Sequence, residues 1–198
     1  LGTFGHAGCF SFSMAKLLAS GQGGAVVTDD ESLAAELRAI RTHGLESTLF
    51  PENWPKWGFN FRFTDLQAAI AINELKHINK KIDRLLTLYQ SYESIAKSRG
   101  IEVVPVDTQI GNIPLYIEVL VDNRVELIKR LEMENIETRP FYPDISKANY
   151  LGSQSTKGIN SSHFEKHGLY LPSGPNQADQ VPDIVTAKIH EIETSYEF

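Results

Sequence analysis

The stretch Gly8-Cys-Phe-Ser-Phe-Ser-Met-Ala-Lys16-Leu-Leu-Ala-Ser-Gly21-Gln-Gly-Gly24-Ala-Val-Val-Thr28 constrains this chain more than any other. Phe10 and Phe12 alternate with Ser11 and Ser13, the period of two that marks a strand. Gly21, Gly23 and Gly24 permit backbone that other residues resist. Ala25-Val-Val27 then reads as a second short strand, and Thr28-Asp-Asp30 as a helix start. The pattern predicts two buried strands that hold one lysine, a hydroxyl and a flexible glycine loop close together. A lysine between buried strands is costly unless its ammonium is paired, or its amine is deprotonated for use as a nucleophile. Lys16 is therefore the candidate reactive group.

At 198 residues the chain suits one large domain or two small ones. A formal charge of −6 argues against nucleic acid as a main partner, because phosphate binding needs clustered Lys and Arg. The densest basic run, Lys76–Lys81, fits a solvated helix face. A single cysteine, Cys9, leaves no internal disulfide or multi-cysteine zinc site, and it reads as a small buried apolar residue. That usage fits a reducing cytoplasm. No apolar run approaches the ~20 residues of a membrane span, and no signal peptide is evident. The opening Leu1-Gly-Thr-Phe-Gly has no cap or lead-in element and runs straight into the first strand. It reads as a chain that begins inside a larger fold.

Downstream, Leu33, Ala34, Leu37 and Ile40 follow helical spacing, and Gly44 ends that helix. Residues 45–62 read as a long aromatic loop with Trp54 and Trp57, of the kind usually found at functional sites or interfaces. Thr64-Asp-Leu-Gln67 is a capping-box pattern, and helical spacing then runs from Leu66 to Gly100 with a bend expected near His77–Lys81. A helix that long reaches roughly 50 Å and connects two domains. The second half alternates: strands at 101–104, 114–121, 136–139 and 169–171, a helix capped by Asp122-Asn123, an irregular loop over 140–158, and a final helix containing Pro182. This is an α/β organisation. Residues 1–75 complete one domain, 76–100 form the connecting helix, and 101–198 form a small second domain.

Several of these segments together resemble one family. Phe10-Ser-Phe-x-x-x-Lys16 followed by Gly21-x-Gly-Gly-x-Val-Val-Thr-Asp29 is similar to the lysine segment of the DegT/DnrJ/EryC1/StrS sugar aminotransferases. Arg41-x-His-Gly44, Gly58-Phe-Asn-Phe-Arg62-x-Thr-Asp-Leu-Gln-Ala-Ala69, Thr138-Arg-Pro140 and Leu171-Pro-Ser-Gly-Pro175 follow in the expected order. The resemblance covers essentially the whole chain and implies the C-terminal half of the type I fold of pyridoxal-phosphate enzymes. It implies a homodimer that moves an amino group, usually from glutamate, to a keto sugar carried on a nucleotide. Lys16 would bind pyridoxal 5'-phosphate covalently and shuttle the proton, Ser11 would hydrogen-bond its phosphate, and Asn60 would reach that phosphate from the partner subunit. Arg62 would assist with phosphate or substrate. No metal is implied.

The sequence departs from the family pattern at Leu17, where Asn is frequent, at Gln22, where the glycine loop usually has Glu, and at Ser13, where His is common. Asp144-Ile-Ser146 stands where a histidine often occurs. These positions bear on the sugar more than on the reaction type. The aspartate that pairs with the pyridine nitrogen in the family precedes the Gly-Thr-Phe-Gly turn, and the expected partner half lies upstream of Leu1. The main alternative is a catalytically silent or dimerisation module lacking the N-terminal half of the cofactor site. A third class, in which a hydroxyl is removed and histidine replaces the lysine, is disfavoured by Lys16. His163 and His167 have the spacing of two metal ligands on a helix, but no third ligand is evident, and they read as surface residues. His43 reads as a helix-terminus residue.

Overall fold

Alternating strands and capped helices arrange into two units, Leu1–Asn79 and Lys80–Phe198, in a computed structural model that describes residues 2–49, 53–151 and 158–195. In the first unit, β1 (Gly8–Ser11) pairs antiparallel with β2 (Gly24–Val27), Gly8 opposite Val27 and Ser11 opposite Gly24. Asp30 then caps α1 (Glu31–Arg41) by accepting from the Leu33 amide at 3.0 Å. The helix ends where Gly44, at φ +79°, donates its N–H to Ala39 O. The Thr64–Gln67 capping box forms as expected and starts α2 (Asp65–Lys76), which stops at His77. The long helix of the sequence is thus two helices, α2 and α3 (Ile78–Ser98), with the break at His77.

The second unit is built on a four-stranded antiparallel sheet of order β3-β4-β6-β5. Its strands are β3 (Glu102–Val103), β4 (Ile117–Leu120), β5 (Arg139–Pro140) and β6 (Gly168–Leu171). The edge strands are shorter than their apolar runs, because only the residues that meet β4 or β6 complete a ladder. Ile117, Val119, Leu169 and Leu171 alternate onto one face and are buried. That face carries the core, with Leu88 and Tyr92 of α3, Leu127 and Leu131 of α4 (Arg124–Met133), and Val185 and Ile189 of α6 (Val181–Thr194). Burying each such aliphatic side chain contributes roughly 1.5–3 kcal/mol. The Asp122-Asn123 cap departs from expectation, since Asn123 makes no side-chain capping bond.

The opposite face of the sheet shows Glu118 and Tyr170. Part of it meets α5 (Ile159–His167), whose Phe164 packs on Phe141 with ring centroids 5.5 Å apart. The region after β5 is more ordered than its polar sequence suggests. It forms two single-turn 3-10 helices at Ile145–Lys147 and Asn149–Leu151, while the rest of the expected loop, 152–157, lies outside the described residues.

Candidate active site

The lysine segment is a closed lobe. Beyond Ser11 the β1–β2 ladder gains one more bond, Phe12 N–H to Gly23 O at 2.9 Å. Ser20, 2% exposed, donates its N–H to Phe12 O at 2.9 Å and its hydroxyl to Gln22 O at 3.0 Å. These bonds tie the neck of the lobe, and Lys16 sits in its turn, where its N–H donates to Ser13 O at 3.0 Å. Among the described residues its ammonium has neither a hydrogen bond nor an ion pair, and the residue is exposed.

This corrects the expectation of a lysine between buried strands. Phe10, Val26 and Val27 are 41%, 49% and 42% exposed, and Cys9 is exposed instead of buried. Period-two alternation identifies the faces of a strand but not what covers them, and a two-stranded ribbon has no second layer of its own. Ser11 closes β1 with its hydroxyl exposed, donating to Ser13 Oγ at 3.3 Å and accepting from the Ser13 amide at 3.4 Å.

The glycine loop is fixed by Phe63 and by a second bond of the capping residue Gln67. Gly23 has φ +126°, and a Cβ there would stand 2.4 Å from the Phe63 ring. Phe63 in turn packs on Phe12, with centroids 6.1 Å apart. Gln67 completes the α2 capping box and also donates its Nε2 to Gln22 O at 3.1 Å. The capping box was visible as a pattern; this second bond depends on a fold that brings residues 45 positions apart together.

Asn60 and Arg62 lie on a strand-like segment tied to the end of α1. Phe59 N–H donates to Ile40 O, His43 N–H to Phe59 O, and Phe61 N–H to Arg41 O, while Asn60 bridges Thr42. Phe59 and Phe61 stack at 4.7 Å on one side, so alternation sends Asn60 and Arg62 to the other. There Arg62 Nε donates to Asn60 Oδ1 at 2.9 Å. That bond assigns the amide orientation and leaves Asn60 Nδ2 directed away from Arg62, a donor with no partner among the described residues. An amide donor beside a guanidinium suits a phosphate or carboxylate. The residues flanking Lys16 and Asn60 therefore meet through Phe12–Phe63 and Gln22–Gln67. Among the described residues, no hydrogen bond or ion pair joins Lys16 or Ser11 to Asn60 or Arg62.

In the second unit, Arg139 of the Thr138-Arg-Pro140 motif stands on β5 opposite Tyr170. Asp144, at the position where the family pattern has other residues, is 4% exposed. It accepts from Ser162 Oγ at 2.7 Å and from the Ser146 amide at 3.0 Å, and these bonds hold its carboxyl down at about 2. His163 and His167 lie with rings 4.6 Å apart, yet no group of three or more potential metal ligands occurs among the described residues. Trp54 and Trp57 are exposed, at 71% and 74%. None of the described helices is long and apolar enough to cross a membrane.

The chain as a whole is similar to known proteins. The sequence model of the DegT/DnrJ/EryC1/StrS aminotransferase family matches residues 1–190. The dTDP-3-amino-3,4,6-trideoxy-alpha-D-glucose transaminase of Micromonospora megalomicea subsp. nigra is 35% identical, over 98% of this chain and 54% of its own length. The GDP-perosamine synthase of Caulobacter vibrioides is 30% identical over 72% of this chain and 40% of its own length. The crystal structure of S. venezuelae DesV superposes with a TM-score of 0.83 at 28% identity, covering 97% of this chain and 53% of that one. The chain thus spans about half the length of the curated relatives it matches.

Proposed function

The chain belongs to the DegT/DnrJ/EryC1/StrS aminotransferase family, and from that premise we propose that it forms part of an enzyme transferring an amino group to a nucleotide-linked keto sugar. Glutamate is the donor in this reading, and the product enters cell-surface polysaccharide or a sugar-modified metabolite. The observation that carries it is Lys16: a lysine at the family position, in a lobe tied at both ends, with an amine that has no partner among the described residues.

Enzymes of this family use pyridoxal 5'-phosphate, and the residues here suit it. An exposed, unpartnered amine is what an aldehyde condenses with, and Ser11 together with the Asn60–Arg62 pair offers donors to a phosphate. When bound, the cofactor supplies an electron sink for the substrate carbanion. Lys16 would hold the cofactor through Nζ, and its amine would move the proton at the substrate carbon. Ser11 Oγ binds phosphate. Arg62 holds the Asn60 amide with its Nδ2 outward, so that Asn60 donates to the phosphate of a partner subunit and makes a homodimer part of the site. Exposed Trp54, Phe61, Leu66 and Ile72 offer an apolar surface of the sort that a subunit contact covers. The protein works in the cytoplasm in this reading.

Borohydride reduction of the enzyme with its cofactor, followed by peptide mapping, tests the assignment directly. The label is expected on Lys16, and label on any other lysine would overturn it. Sedimentation of the wild-type protein tests the dimer, which predicts twice the mass of one chain.

The half-length match favours a second reading for the chain taken by itself, that of a structural or dimerisation unit. That reading expects no cofactor absorbance band when the chain is mixed with pyridoxal 5'-phosphate; a band shifted by covalent binding would exclude it.

A further inference from the structure

The outer face of the sheet in the second unit carries a row that the reaction at Lys16 does not explain. Glu118 on β4, Tyr170 on β6 and Arg139 on β5 are register partners across three adjacent strands. Paired residues of adjacent strands point to the same face, so the three side chains share it. Two strand spacings separate Glu118 from Arg139 by roughly 10 Å. Between and beside them lie aromatic rings: Tyr116 meets Tyr170 edge-on at 5.3 Å, Phe141 stacks on Tyr170 at 4.6 Å, and Tyr142 is 71% exposed.

Both charged members of the row act electrostatically on Tyr170, yet neither is paired among the described residues. Among the described residues, Glu118 has no hydrogen bond or ion pair through its carboxylate, and Arg139 has none through its guanidinium. Glu118 is nevertheless partly buried, and that burial pushes its carboxyl upward. A half-desolvated carboxylate without a donor costs free energy that a ligand with donors would recover.

The order along the row is acceptor, aromatic surface, cation. A nucleoside diphosphate has the complementary order of base edge, base plane and phosphate. The base edge can be narrowed further. A carboxylate has acceptor sites only, so it pairs with an edge that presents adjacent donors. Guanine presents two side by side, N1–H and the N2 amino group. Uracil and thymine present a single N3–H between two carbonyl oxygens, which a carboxylate repels.

We propose that this face binds the nucleotide of the sugar substrate and selects guanosine diphosphate, with Glu118 on the guanine donors, the Tyr116–Tyr170 row against the base, and Arg139 on the diphosphate. The inference rests on the nucleotide-sugar reading above, and its test does not depend on the cofactor or on Lys16. Titration calorimetry of the purified protein with GDP, UDP and dTDP reads it directly. GDP is expected to bind at least tenfold tighter than either pyrimidine nucleotide. Glu118→Gln should remove most of that preference, weakening GDP and, with the carboxylate's repulsion gone, leaving UDP and dTDP no weaker than in the wild type. Arg139→Gln should weaken all three by a similar factor, near tenfold, and flatten the salt dependence. Equal affinity for the three nucleotides in the wild type, a pyrimidine preference, or no binding at all would each overturn the proposal. None of those requires a variant to fold. Lys16 labelled by borohydride together with any of them would sink the guanosine assignment and leave the aminotransferase reading intact.

Discussion

Gln67 donates its side-chain amide to the carbonyl of Gln22 at 3.1 Å, joining the first turn of α2 to the glycine loop that follows Lys16. The same side chain caps the helix by accepting from the Thr64 amide at 3.2 Å. One residue thus starts a helix and fixes the loop beside the candidate nucleophile.

Gln67→Glu separates those two jobs. Glutamate serves the capping box as well as glutamine but has no N–H for Gln22 O. Helix content by far-UV circular dichroism should be unchanged. Cofactor affinity, read from the absorbance titration, should fall about three- to tenfold, the range of one lost hydrogen bond. Unchanged affinity would show that the tie to Gln22 does not position the lobe.

Lys16→Ala should abolish transamination and leave stability within about 0.5 kcal/mol, because an exposed side chain without partners among the described residues contributes little to the fold. Denaturant midpoints and a single-turnover assay check the two halves. A large loss of stability would mean that Lys16 is structural.

Gly23→Ala should destabilise by about 1–3 kcal/mol through backbone strain at φ +126°, with a further cost from the Phe63 ring 2.4 Å from the new Cβ. The double variant Gly23→Ala/Phe63→Leu discriminates the two effects. It should recover the steric part only, leaving the strain, and the coupling is read from urea midpoints of the four proteins.

Asp144 should govern part of the acid response of the second unit. Ser162 and the Ser146 amide depress its carboxyl from 3.8 to about 2 in the fold. For a carboxyl depressed in the folded state, the contribution is complete above 3.8 and is lost as pH falls towards 2. Wild type and Asp144→Asn should therefore differ in urea midpoint at pH 5 and converge by about pH 2. A difference that persists unchanged at the acid end would mean that the bonds act through packing alone.

Elements whose partners lie close in sequence were legible beforehand: the Asp30 and Thr64 caps, the Gly44 stop, and Pro182 in the first turn of α6. Each is written in four or five residues. What escaped depends on tertiary neighbours. α2 has apolar residues at helical spacing, yet it buries none within the described chain, and Leu66 is 74% exposed. Its pattern says that a partner surface is wanted but not which one. The motif residues Lys16, Ser11, Asn60 and Arg62 were named from the sequence, whereas the Asn60–Arg62 bond and the supporting roles of Phe63 and Gln67 needed the chain folded back on itself. Glu118 was invisible for the same reason, since a glutamate in an alternating strand looks like any solvated outer residue until its cross-strand neighbours are known.

Tyr92 links helix and sheet in the second unit and gives that unit an alkaline limit. It is fully buried on α3, and its hydroxyl donates to Pro172 O at 2.9 Å, just beyond β6. Burial pushes the phenol above its usual range, because the phenolate would lie in an apolar core against a carbonyl oxygen. A phenol raised in the folded state stabilises the fold fully below the ordinary tyrosine value of about 10, and that stabilisation is lost as pH rises above it. Tyr92→Phe keeps the ring and deletes the donor, so it should cost about 1 kcal/mol at pH 7. The gap between the two proteins should shrink between pH 10 and 11, since only the wild type must keep this phenol protonated to stay folded. The other tyrosines, Tyr170 among them, are common to both proteins and cancel in the comparison. Urea midpoints at pH 7, 9 and 11 measure the gap, and one that stays constant across that series would show that the Tyr92 hydroxyl is not held neutral by the core.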